Sequence, residues 1–162
     1  MAQLNDIGLD TPGDFSVFNI VSFNLHGLNS GLSQLQELCL DPDTYIIAVQ
    51  EHWLTPNGLM ALNNIHPDFS AFGISAMNYR LTSGIYRGRP FGGVAFLWRK
   101  SISDRIHVVS NDPQGRCLCI ELKVDNNKVI KLITVYFPCF SPGVDYANEL
   151  GRCLGCIEND LN

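Results

Sequence analysis

The sequence predicts an α/β chain built on one mixed β-sheet with flanking helices, and three observations predict it. The chain opens as strand, helix, strand. Its second part carries three further strand candidates, with a hairpin turn between the last two. It closes on a helical pattern with a regular apolar face. A length of 162 residues is one domain's worth of chain, enough to bury a real core.

Each element has its own signal. Val17 to Asn24 (VFNIVSFN) is β-branched and aromatic, as a buried strand should be, and it runs into the turn signal His26-Gly27. Residues 31–40 (GLSQLQELCL) space Leu32, Leu35, Gln36 and Cys39 at helical intervals, and Asp41-Pro42 stops that helix. Tyr45 to Gln50 (YIIAVQ) is a second strand without alternation, which predicts cover on both faces. Pro56 to Ile65 suits a short helix with Thr55 as N-cap and Pro56 at its first position. Phe69 to Ser75 reads as a strand. Residues 76–91 read as a long loop holding Arg80, Arg87 and Arg89 among Tyr79, Tyr86 and Phe91; ordered loops of this length tend to be functional. GGVAFLWRK (92–100), RCLCIELKV (116–124) and VIKLITVYF (129–137) are the later strands, with Asp125-Asn126-Asn127 as the turn between the last two. Pro138 to Gly143 is a loop, and Val144 to Leu161 is the final helix, with Leu150, Leu154, Ile157 and Leu161 as its apolar face. The strands are apolar enough to be covered on both sides, yet only one set of helices is visible. Part of the expected cover is therefore missing from this chain.

Composition narrows the class. Hydrophobic residues make up 46% and charged ones 17%, a globular balance rather than a disordered one. No apolar run approaches the ~18 residues of a membrane span, so no membrane partner is expected. The N-terminus lacks a basic region followed by an apolar stretch and does not read as a secretory signal. Residues 1–16 read as a disordered polar tail and 17–162 as the domain. Six cysteines offer neither a disulfide framework nor a second pair at zinc spacing. Cys153 and Cys156 read as small apolar residues one helical turn apart. Reduced thiols and no leader point to a nuclear or cytoplasmic location. A net charge of -5 is awkward for a nucleic-acid partner. Arg80, Arg87, Arg89, Arg99, Lys100 and Arg105 nevertheless cluster with only Asp104 opposing them, which allows a local positive patch.

The chemistry-bearing residues stand at strand ends. Asn24 closes the first strand and Glu51 follows the wholly apolar second one. Parallel neighbouring strands would bring them to one rim as hard oxygen ligands suited to Mg²⁺. Each also has an ordinary reading, Asn24 as a turn residue and Glu51 as a solvated carboxylate. His26 and His52 flank that rim, and packing or surface roles are the simpler reading for both.

In order along the chain, strand-N-x-x-G, a helix, strand-x-Q-E, GGVAFLWRK, GR at a strand start and VYFP resemble the endonuclease/exonuclease/phosphatase superfamily. Within it, the pattern is similar to the apurinic-endonuclease-like nucleases of non-LTR retrotransposons. The resemblance runs from about Val17 to the end and rests on the order of five motifs, each weak alone. It implies a partial four-layer αββα sandwich whose second sheet is largely missing. It also implies a Mg²⁺-dependent, DNA-nicking phosphodiesterase whose 3′-hydroxyl product would prime reverse transcription. By the same motifs Glu51 would be the principal Mg²⁺ ligand, Asn24 would help position the phosphate or the attacking water, and Tyr136 would hydrogen-bond the scissile phosphate. Arg80, Arg87 and Arg89 would contact DNA backbone, with a solvated basic loop as the competing view. Trp53 would either stack on a base or sugar or pack at the cleft wall, and Arg116 would order the sheet edge.

Two departures qualify the resemblance. Cys139 stands where asparagine commonly follows the Tyr-x-Pro motif. The family's Asp-x-Asn and Ser-Asp-His motifs have no counterpart before Asn162, so the chain reads as a truncated N-terminal part with little activity alone. Two further readings remain open. One is a domesticated, non-catalytic module that associates through an exposed sheet face. The other is a lipid or inositol phosphate phosphoesterase of the same superfamily.

Overall fold

The computed structural model describes residues 19–77, 81–82, 85–86, 88–125, 127–140 and 145–161. The expected tail over 1–16, and Val17 and Phe18 of the first expected strand, lie outside them. Eleven principal elements follow one another: β1 (Asn19–Asn24), α1 (Leu28–Leu40), β2 (Thr44–Gln50), β3 (Phe69–Ile74), β4 (Leu81–Thr82), β5 (Ile85–Tyr86), β6 (Val94–Arg99), β7 (Ile106–Asn111), β8 (Cys117–Lys123), β9 (Val129–Val135) and α2 (Tyr146–Leu161). Two 3-10 helices, Pro56–Asn64 and Lys100–Arg105, sit between β2 and β3 and between β6 and β7.

The first sheet has the order β1-β2-β6-β3. β1 and β2 are parallel, joined through α1, while β6 runs antiparallel to both β2 and β3. The second sheet is the antiparallel meander β7-β8-β9. The two pack face to face. Ile46, Ala48, Val94 and Phe96 of the first meet Leu118, Ile120 and Leu122 of the second in one core. The opposite face of the first sheet, with Ile47, Val49, Ala95 and Leu97, packs against Leu35 and Cys39 of α1 and Leu62 of the first 3-10 helix. This explains the absence of alternation in β2 and β6: both of their faces are buried. α2 lies against β8 and β9, completing the α, β, β, α layering.

The partial sandwich expected from the sequence is therefore what forms. Its second sheet is the smaller, with three strands, and supplies more cover than the sequence led us to expect. Part of that sheet, β7, comes from a segment that carried no sequence assignment. IHVVSN does alternate half-buried and exposed residues, but a register shift between Val108 and Ser110 breaks the pairing with β8.

α1 starts three residues earlier than its periodicity indicated, and its C-terminal end is held by Arg99. That guanidinium donates to the carbonyls of Asp41 (2.7 Å) and Thr44 (2.8 Å) and lies over the rings of Phe69 and Tyr45. Arg99 is thereby committed to packing rather than to the positive patch. The face of α2 also needs correcting. Cys153 and Asp160 are its buried residues, whereas Leu154 and Leu161 are exposed. Cys153 is buried where α2 lies against β8 and β9, and Leu150 and Ile157 are half-buried. Burial raises the thiol pKa of Cys153 and Cys156, which fits packing roles for the pair.

Candidate active site

Parallel pairing places Asn24 opposite Gln50 at the ends of β1 and β2, so Glu51 emerges beside Asn24. Beyond the sheet the two segments stay zipped together. Leu25 donates to the Gln50 carbonyl (2.9 Å), Gly27 to Glu51 (2.7 Å) and Leu28 to His52 (3.0 Å), while Glu51 donates to Gly93 (2.8 Å) on the other side. This path forces unusual backbone. His26, Glu51 and Trp53 have φ of 49, 56 and 54°, the left-handed region that non-glycine residues seldom adopt. Such conformations cluster at functional sites because surrounding structure must impose them. Gly27 and Gly93 take part for steric reasons as well. A Cβ on Gly27 would meet the Trp53 ring at 2.6 Å, and one on Gly93 the His52 ring at 2.3 Å.

The Glu51 carboxylate is the centre of a polar cluster. Asn24 Nδ2 donates to Glu51 Oε1 at 2.7 Å, and Asn24 Oδ1 accepts from the His26 backbone N–H at 3.0 Å. That pairing fixes the amide orientation, since a reversed amide would set oxygen against carboxylate and NH₂ against N–H. In this arrangement Asn24 orients the carboxylate instead of facing outward as an oxygen ligand. Tyr136 reaches the same carboxylate from the second sheet, just past β9. Its hydroxyl lies beside the Glu51 and Cys139 side chains, and burial, followed by the Glu51 charge, pushes the phenol pKa up to about 12. Tyr136 is thus a proton-bearing donor across the physiological range. The second carboxylate oxygen, Oε2, lies 3.7 Å from Nδ1 of the exposed His26.

The sequence-predicted trio Asn24, Glu51 and Tyr136 therefore meets at one point. Two supporting residues received less weight from sequence than they carry. Gln50, the residue before Glu51, donates to Thr134 Oγ1 at 2.8 Å and so ties the two sheets together directly beneath the site. A polar residue ending a buried apolar strand was its only signal. Arg116 pairs with Glu149 of α2 at 3.0 Å, stacks its guanidinium over the Tyr136 ring and accepts the Tyr136 backbone N–H at its carbonyl (2.8 Å). It orders the strand that carries Tyr136, in keeping with the sheet-edge role expected of it.

His52 is fully buried. Its Nδ1 accepts from the Leu54 N–H (3.0 Å) and its Nε2 faces the Ile74 carbonyl at 3.0 Å, which requires the neutral tautomer protonated on Nε2. Burial pulls its pKa down to about 4, so His52 is a structural residue. Trp53 stands at the rim with the His26 ring on it (centroids 4.7 Å apart) and the Arg89 guanidinium over it at 5.4 Å. Trp53 and Arg89 line a groove of about 240 Å³ with the start of α1. Arg80 and Arg87 lie outside the described residues. A second, larger cleft of about 970 Å³ opens between β1 and β9, lined by Ser22, Asn24, Gln50, Thr134 and Tyr136 above an apolar floor that includes Phe96. Asn24 and Tyr136 thus belong both to this cleft and to the Glu51 cluster.

A lone carboxylate with hydroxyl, amide and imidazole neighbours is a set that a hard divalent cation fits, with most of its coordination left to water and substrate oxygens. Among the described residues, no group of three or more His, Cys, Asp or Glu forms a complete metal cage.

Residues 21–157 match the endonuclease/exonuclease/phosphatase family. Among solved structures, the fold is similar to the 3′ phosphatase NExo from Neisseria bound to a product DNA hairpin (18% identity, TM-score 0.58, 87% of this chain and 50% of that one). It is also similar to the AP endonuclease from Leishmania major (14% identity, TM-score 0.61, 89% and 46%) and to an AP endonuclease from Archaeoglobus fulgidus (15% identity, TM-score 0.60, 89% and 51%). At these identities the likeness is one of fold, and the chain spans about half the length of each structure. No curated protein matches the sequence.

Proposed function

Because the chain belongs to the endonuclease/exonuclease/phosphatase family, we propose that the Glu51 cluster is the metal-holding part of a phosphodiester-cleaving site that acts on DNA. One observation carries this reading: Asn24 hydrogen-bonds the Glu51 carboxylate and the Tyr136 hydroxyl stands beside it from the other sheet, with Glu51 on a backbone held in the left-handed region. Glu51 would hold Mg²⁺, which when bound supplies Lewis-acid polarisation of a phosphate oxygen. Tyr136, protonated, would donate to a non-bridging phosphate oxygen, and Asn24 would hold the carboxylate in place. Arg89 on Trp53 offers a charge and a ring face to the backbone and bases beside the cut. That the fold neighbours are DNA enzymes agrees with this choice of substrate. In a larger domain of retrotransposon type, the same site would nick DNA and leave a 3′-hydroxyl for priming.

NMR titration of the chain with Mg²⁺ and then with a short duplex tests the reading. The expected shifts centre on Asn24, Glu51, Tyr136, Trp53 and Arg89, and the Mg²⁺ response disappears in Glu51→Ala. Shifts that survive this substitution, or that map away from the cluster, contradict it.

A second reading, a non-catalytic association module, is favoured by the open cleft between β1 and β9, whose rim carries the exposed Phe137. It predicts self-association or partner capture that is indifferent to Glu51.

A further inference from the structure

Two of the three strained residues, His26 and Glu51, face each other across a gap that a hydrogen bond does not fill. Their Nδ1 and Oε2 atoms are 3.7 Å apart, beyond the usual range for a charge-assisted contact. Two ligand atoms each about 2.1 Å from one cation, at roughly tetrahedral or octahedral angles, are separated by about 3.0 to 3.5 Å. A few tenths of an ångström of closure would let both bind one ion. Both partners are already aimed. Asn24 occupies the other carboxylate oxygen, Oε1. The His26 backbone is pinned by its N–H bond to Asn24 Oδ1, and its ring rests on Trp53. Most of the His26 side chain is exposed (79%), so its position is not a product of core packing, and a left-handed φ of 49° is what turns it toward Glu51.

From this geometry we infer that His26 is a second protein ligand of the cation held by Glu51, and that the site prefers first-row transition-metal dications to Mg²⁺. The inference rests on the Glu51 metal reading above and sharpens it. Imidazole is a borderline-soft ligand that favours transition metals, whereas Mg²⁺ selects oxygen donors and gives up its waters reluctantly. One imidazole beside one carboxylate therefore shifts the preference without excluding Mg²⁺.

Titrating the full chain with MnCl₂ and with MgCl₂ by calorimetry, alongside pulsed EPR of the Mn²⁺ complex, tests the inference. Mn²⁺ is the suitable probe because the neighbouring exposed thiol of Cys139 competes poorly for it. The expected result is Mn²⁺ bound about tenfold or more tightly than Mg²⁺, with ¹⁴N hyperfine coupling from a bound imidazole. His26→Asn tolerates the left-handed backbone and should bring the two affinities together and remove the coupling. Loss even of an outer-shell partner typically lowers metal affinity by about 10- to 100-fold, so loss of a direct ligand should cost Mn²⁺ at least the lower of these. Glu51→Gln should abolish both ions. Binding that depends on Glu51 but shows no ¹⁴N coupling, and is unchanged in His26→Asn, overturns the role of His26 and leaves the metal reading standing. Absence of any binding that Glu51→Gln removes overturns both.

Discussion

His26, Glu51 and Trp53 adopt positive φ without being glycine, and their side chains form the site and its rim. Sequence made Glu51 legible, because a carboxylate following a wholly apolar strand has few structural reasons to be there. Tyr136 was reached only through its motif, since nothing in its local pattern says that β9 ends beside β2. The part played by His26 was not legible. It depends on a 3.7 Å juxtaposition created by strained backbone on two separate segments. His52 gives a prediction about acid stability. Its pKa falls from 6.5 in the unfolded chain to about 4 when buried, so folding favours the neutral ring. The stabilisation is complete above pH 6.5 and is lost as pH falls toward 4, amounting to about 3 kcal/mol across that window. Urea midpoints measured from pH 7.5 to 4 should decline through it, and His52→Gln, though less stable at neutral pH, should flatten that decline. An unchanged slope in the variant contradicts the assignment. Tyr136 predicts the opposite end of the scale. Its phenol should be among the last to ionise, near pH 12, and Tyr136→Phe should remove that component from an ultraviolet phenolate titration. Phenolate appearing near pH 10 for this residue would contradict its contact with Glu51.

At the level of elements, continuous apolar runs identified β2 and β6 correctly as strands covered on both sides, and the two cores show why. β7 was missed because a 3-10 turn and a register shift interrupt what is otherwise a period-two pattern. In α2 the apolar face expected from sequence is half met: Leu150 and Ile157 are half-buried, but Leu154 and Leu161 are exposed while Cys153 and Asp160 are buried. Hydrophobicity alone ranks leucine above cysteine, but it is Cys153 that is buried where α2 lies against β8 and β9. Arg99, which the charge pattern assigns to a basic patch, closes α1 onto β2 and β3. Arg99→Ala should cost about 2 to 3 kcal/mol, since it leaves carbonyls half-satisfied and removes the guanidinium from the Phe69 ring. Arg99→Lys should recover only part of this, because one ammonium cannot reproduce the planar fork. Thermal unfolding of the three proteins decides it, and a loss under about 0.5 kcal/mol for the alanine variant would place Arg99 back among surface charges.

The whole molecule holds its two sheets together around the site. Gln50 bridges from β2 to Thr134 on β9, and the Tyr136 hydroxyl lies beside Glu51 just beyond that link. The layering was legible in outline from the order of strands and helices. The division of the later strands between two sheets was not, because strand pairing is a long-range property that local periodicity does not encode. The cleft between β1 and β9 remains open, with an apolar floor. Sedimentation velocity should therefore show concentration-dependent association, weakened about tenfold by Phe137→Lys; a monomer at every concentration would contradict an interface there. Among the described residues, no helix is long and apolar enough to cross a membrane. The central claim is that Glu51, held by Asn24 and flanked by Tyr136, is the anchor of a divalent-metal site. Its most direct test is an anomalous difference map from crystals of the chain soaked in MnCl₂. A single peak about 2.2 Å from the Glu51 carboxylate, absent in Glu51→Gln crystals, is the predicted result. No peak there, or an equal peak in the Glu51→Gln crystals, would contradict the account.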